Sequence, residues 1–517
     1  MPFATIFGTK AQHDFTKQPK KMKRTIVGKD FIKWHPHMKD DSTNLSYARF
    51  ANQLIKIIEG HIADKSPEKI VEIACTIALY MEDIVGELGI WQSFITLHKQ
   101  LYGRYLPFFE VNEETYFINE PNIEDIQFLV WKTLSADPTH IVHPVNPYIY
   151  ELSKDLFDYC EERFELLPIN EALQNYLQQG DFMDDFTSMR FTLQWLTLHC
   201  YLTDSLHTKE QFEALQDQYA KTFYSDDAKL GKYMAECTLA FSQKVGPLAL
   251  TPREWLTKIL QLHGLEEKIQ LLNEIKFRDI QCYKIIAEEA QGIHFLSYQK
   301  EELFVGYQEL NLLPGALYGV ETVLMSLVYY QGKWELNGIM SQMPNEELFN
   351  SFGELMQKTA PKKSKTLGIP HYKELMKLSG GSPLLYFKNA QAYYDFLKND
   401  LKLKLIDDHD KPFTTLRGPL LAFAPHEDGE LIALPDAAKF ICDARNPYYN
   451  DKAQLTHLWT FFIFEAPQSL LRYLFEHNML PNIRFPYLEG DATLAHQLVA
   501  ENWDFLARFL KGNDYEA

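Results

Sequence analysis

Between Gly292 and Gln342 the hydrophobic period of this chain changes, and no other feature limits its fold so strongly. Upstream, apolar residues recur at helical spacing for most of about two hundred residues. Then come Ile293-His294-Phe295-Leu296-Ser297-Tyr298, Glu302-Leu303-Phe304-Val305-Gly306-Tyr307, a run from Gly315 to Tyr330, and Lys333-Trp334-Glu335-Leu336. These segments are rich in β-branched and aromatic residues, and short turns such as Gln331-Gly332 join them. The pattern predicts a large helical region feeding an antiparallel sheet, with a mixed region after it. The fold class is α+β.

Between Val320 and Tyr330 both strand faces are largely apolar. One face packs on helices. The other must meet a second layer, a partner or a ligand. Packing within the chain is the expected answer, which makes Trp334 a core residue. A partner groove is the other option, and Tyr307 and Tyr329 are its candidate binding residues.

At 517 residues the chain suits two or three domains. The expected division is a disordered leader over 1–21, a helical domain over 22–290, the sheet over 291–343 and an α+β region over 344–517. The leader carries Lys10, Lys17, Lys20 and Lys21, and Met22 is a plausible alternative start. Helix signals follow. Ser66-Pro67-Glu68 reads as an N-cap with proline at the first helical position. Thr251-Pro252-Arg253-Glu254 reads as a capping box. Phe186 to Leu202 keeps helical spacing, and Asn345 to Gln357 returns to helix after the sheet. Pro361-Lys362-Lys363-Ser364-Lys365 reads as an exposed linker. Leu384 to Phe387 reads as a strand. Leu420 to Phe423 and Leu431 to Ala433 flank an Asp428-Gly429 turn as a hairpin. Pro435 opens a short helix, and longer helices cover Lys452 to Glu476 and Thr493 to Leu510.

A formal charge of −19 argues against broad nucleic-acid binding and against docking on anionic lipid. Binding through the basic arm Pro19 to Arg24 is the least favoured function. No apolar run reaches the ~18 residues of a membrane span, so a soluble, cytoplasmic protein is expected. The six cysteines lie far apart and form no C-x-x-C pair, which suits buried free thiols.

The sharpest chemical constellation is Glu82 and Asp83, late in an otherwise apolar helix. A carboxylate in apolar surroundings has its pKa raised and can act as an acid or base. His98 and Arg104 are near enough in sequence to complete a polar pocket. The bland alternative makes the two acids structural, paired or capping, and neighbours on a helix point about 100° apart. His35 and His37 with Asp40 and Asp41, and His140 with His143, resemble ligand sets, but a metal needs three or four converging donors. No metal and no cofactor is expected. Ser379-Gly380-Gly381-Ser382-Pro383 precedes a strand, the wrong order for a phosphate loop, so it reads as a turn.

Several segments resemble a bacterial family known as a domain of unknown function: Lys29 to Pro36, Gly89 to Gln92 with Leu101 to Phe108, Asn122 to Trp131, Thr251 to Leu256 and Asn502 to Phe509. The resemblance covers nearly everything after Met22. It implies no activity. The leading expectation is a non-catalytic binding or interaction protein whose partner is another protein or a small molecule. The alternative is a hydrolase with a dispersed site around Glu82, Asp83, His98 and Arg104.

Overall fold

The computed structural model describes residues 25–36, 42–62, 66–137, 141–222, 228–343, 368–403, 418–426, 431–450, 455–480 and 492–516. The leader, the helix expected at 345–357, the linker at 361–365, the 428–429 turn, His37, Asp40, Asp41 and His140 lie outside them. The chain divides into two compact units. The larger holds Thr25–Lys362 and Arg508–Tyr515, and the smaller draws mainly on Lys363–Ala507.

Twelve described helices precede the sheet in the larger unit: α1 Gly28–Phe31, α2 Ser42–His61, α3 Pro67–Gly86, α4 Ile90–Tyr102, α5 Ile123–Leu134, α6 Pro147–Arg163, α7 Glu171–Gln179, α8 Phe186–Leu198, α9 Leu206–Thr222, α10 Ala228–Ser242, α11 Pro252–Leu262 and α12 Glu266–Glu274. Their ends follow local chemistry. Ser66 Oγ accepts from the Lys69 amide at 3.3 Å, ahead of Pro67, and starts α3. Glu87 turns left-handed (φ 49°) and stops it. Thr251 and Glu254 form the expected capping box: the Glu254 amide donates to Thr251 Oγ1 at 3.2 Å, and the Thr251 amide donates to Glu254 Oε2 at 2.7 Å. Helix α8 stops at Leu198 rather than Leu202, because Thr203 Oγ1 donates back to the Leu196 carbonyl and the Asp204 amide donates to Cys200 O at 2.8 Å. That closes residues 200–204 into a turn.

The sheet has five antiparallel strands in the order β3-β2-β1-β4-β5: β1 Lys276–Glu288, β2 Gly292–Ser297, β3 Glu302–Gly306, β4 Thr322–Tyr330 and β5 Lys333–Met343. It begins well before residue 291. Strand β1 hides its alternation in the sequence because the register shifts twice along it, between Arg278 and Gln281 and between Ile285 and Ala287. Each irregularity breaks the period of two that a pattern search follows. The β4–β5 turn has positive φ at both Gln331 (45°) and Gly332 (85°), the geometry that suits a two-residue hairpin.

Both faces of β4 are covered inside this unit. Val323, Met325 and Leu327 join Tyr283, Phe295 and Val305 in one core. On the other side the Tyr330 hydroxyl donates to Met183 O, and Asn337 Nδ2 donates to the α10 carbonyl of Cys237 at 3.1 Å. Trp334 corrects its sequence reading. It is half-buried, stands edge-on to Tyr329 across the hairpin, and carries the Arg278 guanidinium 4.9 Å from its ring centroid. Cys442 is exposed, whereas the other five cysteines are buried.

In the smaller unit β6 Leu384–Phe387, β7 Leu420–Phe423 and β8 Ile432–Pro435 form a three-stranded antiparallel sheet, as the hairpin reading requires. Pro435 ends β8, and the short helix starts at Ala437. The two long helices expected near the C-terminus are each interrupted. The first breaks between Glu465 and Gln468, at Pro467, and the second at Asn502, whose Nδ2 donates to Leu498 O at 2.8 Å. Among the described residues no helix is long and apolar enough to cross a membrane.

Candidate functional site

Helix α3 carries Glu82 and Asp83 into the protein interior, where they are 1% and 2% exposed. Each is claimed by a different set of donors. Helix α4 has Gly89 at its N-cap position, with no side chain to cap it. Asp83 takes over that role from the preceding helix. Its carboxylate accepts the Trp91 amide at 2.6 Å, the Ile90 amide at 3.2 Å and the Tyr201 hydroxyl at 2.7 Å. Burial pushes Asp83 up to about 6, and these donors pull it back. Glu82 faces His35 Nε2 at 2.6 Å and accepts Asn170 Nδ2 at 2.9 Å. Asn170 in turn caps α7 through its Oδ1. The pair of acids therefore ties α3 to α4, to α7 and to the 200–204 turn.

A third acid is the larger hub, and it is not among the candidate residues read from the sequence. Asp125, in the first turn of α5, is fully buried. It accepts from the Tyr116 hydroxyl at 2.7 Å, the Tyr80 hydroxyl at 2.8 Å, Trp91 Nε1 at 2.9 Å and Asn122 Nδ2 at 3.3 Å. Burial pushes it up to about 7 against those four donors. Its partners are scattered from residue 80 to residue 122, so no local spacing announces them.

His98 and Arg104 are neighbours, but through the backbone: His98 Nδ1 donates to the Arg104 carbonyl at 2.7 Å. His98 is buried, and desolvation is the main cause that takes its pKa down to about 4. The hydrogen bonds of Glu82 and Asp83 run to partners other than His98 and Arg104. Tyr307 is buried with its hydroxyl on Glu288, and Tyr329 packs on Trp334 and under Lys276, 5.3 Å from its centroid. His143 is buried and accepts the Val145 amide at 3.1 Å through Nδ1.

One open feature lies next to the acid network. A cleft of about 230 Å³ is walled by Lys69, Glu72 and Thr76 of α3, Lys132 of α5, Tyr201 and Asp204 of the turn, Lys209 of α9, and Phe509. Tyr201 belongs to both sites: its hydroxyl holds Asp83, and its carbonyl accepts Lys132 Nζ at 3.0 Å. A second Lys132 hydrogen bond runs to Asp204 O at 3.3 Å. Lysines 69 and 209 are paired, with Glu72 at 2.7 Å and Asp204 at 2.9 Å. Lys132 is 7% exposed, and burial lowers its pKa below the usual lysine range, with Asp204 and Glu72 pulling the other way. Sequence reasoning passed over Lys132. Its one signal was a lysine directly after the apolar run Phe128-Leu129-Val130-Trp131.

Residues 25–274 and 335–511 match a family described as a protein of unknown function, DUF3843. The matched segments contain the acid network and the cleft, while most of the sheet falls between them. No curated protein and no solved structure matches.

Proposed function

The chain belongs to the DUF3843 family, and we propose that it is a soluble, cytoplasmic, non-catalytic binding protein whose ligand occupies the Lys132 cleft. The observation that carries this reading is a contrast in how polar groups are used. Glu82, Asp83 and Asp125 are sealed from solvent and occupied by internal donors, and a general acid or base must reach its substrate. The cleft, by comparison, is open and keeps an amine whose hydrogen bonds are incomplete. Its volume of about 230 Å³ suits a small molecule. The charge of −19 speaks against nucleic acid as the partner.

Native mass spectrometry of the full chain with pooled organic acids, amino acids, nucleosides and sugars tests the reading. A one-to-one complex is expected. Lys132→Met should weaken it at least tenfold, and folded Glu82→Gln should leave it intact. Binding that ignores both Lys132→Met and Asp204→Asn would remove the cleft from consideration. Turnover of a panel compound that is abolished by folded Glu82→Gln would make the hydrolase the better account.

A further inference from the structure

The donors and acceptors left open in the cleft specify more than its size. An ammonium has three N–H bonds. Lys132 directs two of them to the carbonyls of Tyr201 and Asp204, and no carboxylate lies within ion-pair distance of it among the described residues. Asp204 presents the opposite deficit. Its side chain is only 10% exposed; Oδ2 accepts from Lys209, and Oδ1 is buried without a hydrogen-bond partner. Unmet polar groups of this kind are costly to bury and rare in folded chains. Both residues line the cleft, and Lys132 Nζ reaches the Asp204 backbone carbonyl at 3.3 Å.

The charges of the lining also balance. Three ammonium groups (Lys69, Lys132, Lys209) face three carboxylates (Glu72, Asp137, Asp204). Such a lining favours neither a phosphate-rich ligand nor a polyamine, because either would leave one sign of charge uncompensated. The rest of the wall combines polar Thr76, Thr133, Ser205 and His207 with an apolar part that includes Trp34, Leu134 and Phe509.

We propose that the cleft binds a small zwitterion, a free α-amino acid with an apolar side chain, with its carboxylate on Lys132 and its ammonium on Asp204. This rests on the cleft being the ligand site. The ligand carboxylate supplies the counter-ion that Lys132 lacks and favours its charged form, which burial otherwise opposes. The ligand ammonium supplies the donor that Asp204 lacks. The apolar side chain lies against Leu134 and Phe509. Binding requires both ends, so removing either end of the ligand leaves a buried protein group unpaired.

Calorimetric titration and thermal shift of the full chain test this with matched probes. These are L-leucine and L-phenylalanine, 4-methylpentanoate (leucine without its amine) and 3-methylbutan-1-amine (leucine without its carboxylate). At least one amino acid should bind and raise the midpoint, and both truncated probes should bind at least tenfold more weakly. Asp204→Asn should weaken amino-acid binding about tenfold and leave 4-methylpentanoate nearly unchanged. Lys132→Met should abolish amino-acid binding; Asp204→Asn, which retains a neutral contact to Lys209, serves if Lys132→Met does not fold. Equal binding of leucine and 4-methylpentanoate, lost in Lys132→Met, would overturn the zwitterion while keeping the cleft as the ligand site. Absence of binding by both amino acids also overturns the zwitterion, and the pooled screen then judges the cleft independently.

Discussion

Replacing Asp125 by alanine should be among the most damaging single changes in the larger unit. The carboxylate serves four donors, Tyr80 of α3, Trp91 of α4, Tyr116 of the loop after α4 and Asn122 at the N-cap of α5. Asn122 keeps its bonds to Phe117 O and Glu120 O, which leaves the two hydroxyls and the indole N–H orphaned. A buried donor without a partner costs about 1–3 kcal/mol, so three cost roughly 3–9 kcal/mol. Relief from burying a carboxylate offsets part of this, and a net loss of about 3–5 kcal/mol is expected. Asp125→Asn should cost at most about 2 kcal/mol, because its carbonyl can occupy the Oδ2 position, where three of the donors converge, and the Tyr116 hydroxyl can rotate to accept from the new amide. Tyr80→Phe should cost about 1.5–3 kcal/mol in the native background and under about 0.5 kcal/mol in Asp125→Ala, where its acceptor is already gone. Urea denaturation followed by tryptophan fluorescence and far-ultraviolet circular dichroism measures all of these. A loss under about 1 kcal/mol for Asp125→Ala, or equal losses for alanine and asparagine, would refute the hub.

Three further outcomes are expected. Asp125 and Asp83 have folded pKa values of about 7 and about 6, both above the usual 3.8. Their protonated forms therefore stabilise the fold at low pH, and that contribution is lost as pH rises from the usual 3.8 up through about 6 for Asp83 and about 7 for Asp125; denaturation at several pH values should show wild type losing stability relative to Asp125→Asn across that window, and parallel curves would contradict it. Trp334→Ala should cost about 2 kcal/mol, short of the ~3–5 kcal/mol of a fully buried tryptophan, because the ring is half-buried beneath Arg278. Glu82→Gln should lower stability by about 1–3 kcal/mol through its contact with His35, without changing ligand binding at the cleft; a change in affinity with no change in the denaturation midpoint would show that Glu82 acts on the ligand.

Some of this protein is legible in its sequence because the determinants are local. Ser66 before Pro67, the Thr251–Glu254 box and the Gln331-Gly332 turn each act over a few residues, so their geometry can be read from the residue types alone. The β-branched and aromatic segments after Gly292, joined by short turns, likewise specify antiparallel strands and an α+β fold. Strand β1 escapes that reading because its register irregularities interrupt the alternation. The roles of Glu82 and Asp83 are undecided at that level, and Asp125 does not stand out there at all: an acid in an apolar helix is equally a catalyst or a buried tie until its partners are known. Those partners lie far away in the chain, with Tyr201 118 positions from Asp83 and Asn170 88 positions from Glu82. The same holds for Lys132, whose place beside Asp204 depends on a turn 69 to 72 positions downstream. Hydrogen bonding and desolvation depend on distances through space, and only the packing of α3, α4, α5 and the 200–204 turn brings these groups together. Periodicity along the chain determined which elements form; their tertiary packing decided which charges are buried, which are paired and which remain open to a ligand.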